Sequence, residues 1–116
     1  MSKKSNKEIC LNYLQKYEEK DIKSIENLFS EDIVLRDWKI LVYGKKNALR
    51  ETRKNFAAAY SIAIDVLFTY ENNNTLAAEL KITINDSEEL YVVDVISINS
   101  DGKISSIRAY LGRGED

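Results

Sequence analysis

The 116-residue sequence has no histidine, no proline and one cysteine, Cys10. Each absence narrows the chemistry. Without histidine there is no imidazole to relay protons, complete a nucleophile triad or ligate a metal. Without proline, every turn has to come from Gly, Asn, Asp or Ser. A single thiol cannot close a disulfide within the chain. Cys10 stands beside Ile9, Tyr13 and Leu14 in a helical pattern, which reads as a buried structural thiol and not a nucleophile. No apolar run approaches the roughly 18 residues of a spanning helix, and no signal core follows Met1, so the expectation is a cytoplasmic protein with no membrane partner. An excess of positive charge is also missing. The 17 Lys and Arg are outnumbered by 19 Asp and Glu, for a net charge of −2. That balance offers no field for nucleic acid, and the short basic start, Met1 to Lys7, reads as the solvated beginning of a helix.

The chain that is present is 44% hydrophobic and 31% charged, which fits one globular domain over residues 1–116. Residues 5–18 place Ile9, Cys10, Tyr13, Leu14 and Tyr17 on one helical stripe, with Ser5 and Glu8 spaced as a capping box. Asp21 reads as the cap of a second helix, Ile22 to Phe29. Ile33 to Trp38 alternates as a strand, Ile40 to Tyr43 reads as a short return, and Gly44 ends it. Lys45 to Tyr60 reads as a third helix with Leu49, Thr52, Phe56 and Tyr60 inward. From there the pattern is β: Ile62 to Tyr70, Thr75 to Ile84, Leu90 to Asn99 and Ile104 to Leu111, separated by Asn-, Asp- and Ser-rich turns. Helices grouped ahead of consecutive strands predict the α+β class. Three amphipathic helices pack on a curved antiparallel sheet and enclose an apolar pocket.

The informative residues are polar groups on apolar faces, because a buried charge is costly unless something offsets it. Alternation from Leu90 places Asp94 in a row with Val92, Ile96 and Ile98. Asp37 shares a face with Ile33 and Leu35, and Tyr13 is central in the first helical stripe. Each has a plain structural reading. A core tyrosine packs and bonds a carbonyl. Asp37 pairs with Arg36 or Arg108. Asp94 makes a structural hydrogen bond. Phe29, Trp38, Phe56, Tyr60 and Phe68 are the candidate aromatics for lining a pocket, and at helical or strand spacing each also reads as ordinary core.

Over nearly its whole length the chain resembles the ketosteroid isomerase branch of the SnoaL-like, nuclear-transport-factor-like superfamily. The resemblance is carried by Tyr13, by Asp21-Ile22-x-x-Ile25-x-x-Leu28-Phe29-x-x-Asp32 followed by Asp37, by Asp94, and by Asp101-Gly102-Lys103-Ile104-x-Ser106-Ile107-Arg108-Ala109-x-x-Gly112. It implies a cone-shaped sheet around a deep apolar pocket, a homodimer formed through the sheet, and a small apolar molecule as ligand, with no cofactor and no metal. It also implies roles. Asp37 is the base that moves a proton, while Tyr13 and a protonated Asp94 form the oxyanion hole. Burial among Leu90, Val92, Ile96 and Ile98 is expected to raise the pKa of Asp94. The chain departs from the family where Trp38 follows Asp37 in place of the usual proline, which brings a large ring near the base. It departs again around Arg53, where the isomerases often place another polar helper. The fold also carries cyclases, dehydratases, hydrolases and plain binding domains. Two classes of function therefore stand: an isomerase that shifts a proton beside a carbonyl, and a non-catalytic domain that holds a small ligand.

Overall fold

The computed structural model describes residues 4–114; of the basic start, Met1, Ser2 and Lys3 lie outside the described residues. Helix α1 (Asn6–Glu18) begins at the predicted capping box. Ser5 Oγ accepts from the Glu8 amide at 3.1 Å, and Glu8 Oε1 accepts from the Ser5 amide at 3.2 Å. Helix α2 (Ile22–Leu28) is capped by Asp21, which accepts from the Ser24 amide. No turn separates α2 from strand β1 (Phe29–Arg36), because Phe29 is already extended at φ −81 and ψ 139. The strand therefore starts earlier than the alternation suggests. It also ends earlier, so Asp37 and Trp38 occupy the turn into β2 (Leu41–Tyr43). Gly44, at φ +89, makes the sharp entry into α3 (Lys45–Ala58), which stops two residues short of Tyr60.

The second half is the expected meander of β3 (Ile62–Asn72), β4 (Thr75–Ile84), β5 (Glu88–Ile98) and β6 (Ile104–Leu111). Lacking proline, its hairpins turn through left-handed backbone at Asn73, Asn85 and Asp86, residue types that tolerate positive φ, and at Gly102. The six strands form one sheet in the order β2-β1-β6-β5-β4-β3. All neighbours are antiparallel except β1 and β6, which run parallel and join the two halves of the chain. The sheet is thus mixed.

The core lies between one face of this sheet and the helices. Leu76, Ala78 and Leu80 of β4, Ile96 and Ile98 of β5, and Ile104 and Ile107 of β6 meet Ile9, Cys10, Tyr13 and Leu14 of α1, Ile25 of α2, and Ala48 and Leu49 of α3. Each fully buried large aliphatic contributes about 1.5–3 kcal/mol to holding these layers together. Helix α1 is also tied to the sheet edge, where Glu18 Oε2 accepts from the Ile64 amide of β3 at 2.7 Å.

Strand β3 carries a bulge. Val66 pairs with Leu80, Phe68 pairs with Glu79, and Leu67 is the extra residue between them. An inserted residue reverses the facing of everything after it. Ile62 and Ile64 pair with Ile84 and Ile82 on the inner face, whereas Phe68 and Tyr70 are turned to the outer one. Among the described residues, no helix is long and apolar enough to cross a membrane.

Candidate active site

A cavity of about 510 Å³ opens between the sheet's inner face and helices α1 and α3. This volume lies within the range typical of small-molecule sites. The strand register sets Ala109 on β6 beside Asp94 on β5, and its methyl group leaves the cavity open there, while Ala78 on the other side, on β4, is fully buried in the core. Farther out the walls mix aliphatics, Leu35, Ile62, Ile64, Ile82, Ile84, Leu90 and Val92, with the charged Lys39, Glu51, Lys54 and Glu88.

Tyr13, Asp37 and Asp94, drawn from three separate elements, all line this cavity. Tyr13 is 4% exposed and Asp94 8%. Among the described residues neither side chain has a hydrogen-bond partner or an ion pair, and no sealed side-chain oxygen lacks a partner. Their polar atoms therefore open onto the cavity itself. Arg36 and Arg108, the possible partners for a structural aspartate, are register neighbours of each other and both are exposed. Burial pushes the Asp94 carboxyl up to about 7, and the nearby Asp37 charge adds to the rise. Burial also holds the Tyr13 phenol well above its ordinary range, with smaller contributions from Tyr17 and Asp94. Both groups are thus biased toward their protonated, hydrogen-bond-donating forms.

Asp37 is built differently. Its Oδ1 accepts from the amides of Lys39 at 2.7 Å and Ile40 at 2.8 Å, and its own amide donates to the Ile40 carbonyl at 3.0 Å. This aspartate turn fixes the carboxylate in place and leaves Oδ2 without a partner among the described residues. The same turn sets Trp38 on the cavity's rim, as its position after Asp37 suggested.

Four of the candidate aromatics are not in the cavity wall. Phe29 is 1% exposed and packs behind Tyr13, with ring centroids 5.9 Å apart. Phe56 packs behind Tyr17 at 4.9 Å. In both cases a tyrosine of α1 stands between the phenylalanine and the open space. Tyr60 lies past the end of α3 and is 73% exposed, pinned over the β4–β5 turn by hydrogen bonds from its amide and hydroxyl to Asn85. Phe68 is 63% exposed because the β3 bulge turns it outward.

Among the cavity residues that the sequence does not mark as functional are Tyr17, which it places only on a helical stripe, and Asn55. Asn55 Nδ2 donates to Tyr17 Oη at 3.0 Å, bridging α1 and α3. The signal for Tyr17 was its position four residues after Tyr13, on the same helical face. Asn55 had a weaker one, three residues after the inward Thr52. Among the described residues, no three His, Cys, Asp or Glu side chains cluster as metal ligands.

No protein-family model matches the chain, and no curated protein matches its sequence significantly. Solved structures do match. An NTF2-like protein from Cytophaga hutchinsonii superposes with a TM-score of 0.81 at 12% identity, covering 96% of this chain and 93% of that one. A ketosteroid isomerase candidate from Kribbella flavida gives 0.80 at 14% identity, over 93% and 78%. The epoxide hydrolase/cyclase-like enzyme SalBIII, described in pyran ring formation in the polyether salinomycin, gives 0.81 at 23% identity, over 92% and 90%. At these identities the likeness is one of fold. The chain has the α+β NTF2-like, SnoaL-like fold, whose bearers here carry isomerase, cyclase and epoxide hydrolase names.

Proposed function

We propose that the chain is a cofactor-independent acid–base enzyme that shifts a proton beside the carbonyl of a small apolar ketone. The observation that carries this reading is a buried aspartic acid, with no cationic partner among the described residues, opening onto the same cavity as a buried phenol and a turn-held carboxylate. A hydrogen on the carbon next to a carbonyl is weakly acidic. Removing it takes a base and a stabiliser for the enolate oxygen. Asp37 Oδ2 accepts the proton from carbon, and its amide-anchored Oδ1 keeps the carboxylate oriented. The enolate oxygen then accepts hydrogen bonds from Tyr13 Oη and the protonated Asp94, in a site where little water competes. Return of the proton from Asp37 to a different carbon of the enolate completes an isomerisation, with no net change in protons or electrons. Asp37→Asn keeps the size and the turn-forming oxygen but removes the base. It is expected to lower turnover of a reactive enone at least 10³-fold, a typical loss for a general base, with an unchanged circular-dichroism spectrum. Turnover equal to the parent would remove Asp37 from the role.

A second reading is favoured by one observation, the two carboxyl groups of Asp37 and Asp94 lining one cavity. An acid poised near neutrality, facing a carboxylate, also suits opening of an epoxide. Asp94 protonates the departing oxygen while Asp37 takes the proton from an attacking hydroxyl or water. A substrate carrying deuterium on the carbon beside the carbonyl separates the two reactions: isomerisation moves that deuterium to another carbon or loses it to solvent, whereas epoxide opening leaves it in place.

The same proposal includes a homodimer through the sheet's outer face. Phe68, Tyr70 and Tyr110 are exposed there beside half-buried Tyr91, Val93 and Val95. Acidic Asp65, Glu79 and Glu89 share this face with basic Lys81 and Arg108, a mixture of signs that two copies can match against each other.

A further inference from the structure

Tyr17 sits one helical turn beyond Tyr13 on α1, with ring centroids 6.0 Å apart. It is half-buried where Tyr13 is buried, and its partner Asn55 is exposed, so the pair stands nearer the mouth of the cavity they all line. Its ring is wedged edge-on between Tyr13 and Phe56, which fixes the hydroxyl's position. The bond from Asn55 is the one hydrogen bond Tyr17 Oη makes among the described residues. A tyrosine and an asparagine together carry one O–H and two N–H donors. Their mutual bond uses one of these, and whichever way the amide is turned at least one donor is left over. Beside the pair the wall carries Ala58, Ile62 and Ile64, and one turn before Asn55 stands Glu51, whose carboxylate already accepts from Lys54 at 3.0 Å. Water in the open cavity takes a left-over donor, and a ligand that displaces that water has to supply an acceptor in its place or leave the donor unpaired.

We propose that Tyr17 and Asn55 form a second polar anchor, which takes an oxygen of the ligand about one helical pitch (~5.4 Å) from the oxygen held by Tyr13 and Asp94. The ligand class is then a carbonyl compound with a second hydroxyl, ether or carbonyl oxygen, and not a monofunctional hydrocarbon ketone. The inference rests on the proposed role of Tyr13 and Asp94 in holding the first oxygen.

Two phenols test it by equilibrium binding, followed by NMR titration of the whole chain. 4-Methoxyphenol and 4-ethylphenol have almost the same shape and acidity, and both present a phenol to Tyr13 and Asp94. Only the first has a para oxygen, at about the required separation. The parent protein is expected to bind 4-methoxyphenol about fivefold more tightly, the worth of one neutral hydrogen bond. Tyr17→Phe, which keeps the ring packing, should reduce that preference, and Tyr17→Phe with Asn55→Leu should abolish it. In the double variant 4-ethylphenol should still bind, which also reports that the cavity is folded. Tyr13→Phe should weaken both phenols alike and leave their ratio intact. Equal affinity of the two phenols for the parent, or a preference that survives the double variant, overturns the second anchor while leaving the oxyanion hole standing. A Tyr13→Phe variant that binds both phenols as the parent does overturns the oxyanion hole, and with it the assignment of the first oxygen. Absence of binding by either phenol overturns both.

Discussion

The two faces of strand β5 treat a carboxyl group in opposite ways. On the outer face Glu89 pairs with Lys81 at 3.2 Å, and across the neighbouring strand Glu79 accepts a hydrogen bond from Tyr70 Oη at 2.8 Å. These acids are partnered and at least partly open to solvent. On the inner face Asp94 is flanked by two alanines, and no cation is within reach among the described residues. The outer acids complete a surface. The inner one keeps its proton up to about pH 7 and presents it to a cavity. Side-chain chemistry is nearly constant across the strand, so environment makes the difference. The size of one neighbour adds to this, since a bulkier residue in place of Ala109 would narrow the space into which the acid donates.

The largest way to break this comparison is to remove the inner charge. The folded pKa of Asp94, about 7, lies above its unfolded value near 3.8, so between those limits the native state holds a proton that the unfolded chain releases. Stability must therefore fall as pH rises from about 4 to 7 and level off above, with a total cost on the order of 4 kcal/mol as an upper bound. Asp94→Asn cannot ionise. Its stability should be flatter over this window and exceed that of the parent at pH 8, whereas the two should converge near pH 4. Urea unfolding at the two pH values measures this, and parallel behaviour of parent and variant would refute the buried-acid assignment. Catalytically, the donor is the protonated form, so turnover should decline as pH rises through about 7. Asp94→Leu should lose about 10²-fold, as for removal of one oxyanion donor.

The next test sharpens the contrast from the other side. If the outer face is a contact between two copies, exposed Phe68 and Tyr110 are its aromatic anchors. Replacing both with aspartate should weaken self-association about 10³-fold, given a cost of about 2 kcal/mol for each of two buried aromatic hot spots. Phenol binding in the cavity should be nearly unchanged, since neither side chain lines it. Sedimentation velocity over a concentration series reads the first quantity. An unaltered monomer–dimer distribution would move any interface elsewhere.

Much of the inner face is legible without coordinates because it follows local rules. The Ser5–Glu8 spacing marks the start of α1, the alternation from Thr75 to Ile84 gives β4 its two ends, and the same period places Asp94 among aliphatics. The outer face is less legible because one irregularity governs it. Nothing in Val66-Leu67-Phe68 signals that Leu67 will be the extra residue, yet that single insertion moves Phe68 from the expected lining to the surface. Long-range pairings are hidden for a related reason. The parallel contact of β1 with β6 joins residues more than 70 positions apart, and no local pattern encodes it. Phe29 was misplaced because α2 passes into β1 with neither glycine nor a polar turn between them. Tyr17 was visible as part of a helical stripe. What distinguishes it from Phe56 behind it is which ring reaches the cavity first, a matter of packing depth that spacing does not report.

The smallest expected effect is also the cleanest control, because it repeats the inner experiment on the same strand. Glu89 is five residues before Asp94, and an odd separation places it on the opposite face. Glu89→Gln makes the same acid-to-amide change as Asp94→Asn, but in a partnered, half-exposed site. A surface ion pair is worth about 0–1 kcal/mol and is weakened by salt. The substitution should therefore cost at most about 0.5 kcal/mol at pH 8, and less at high salt. The sign is the decisive part. Neutralising the outer acid should destabilise slightly, whereas neutralising the inner acid should stabilise. If the two substitutions shift the pH 8 unfolding midpoint in the same direction, the strand's two faces do not differ in the way their surroundings require, and Asp94 is an ordinary ionised carboxylate.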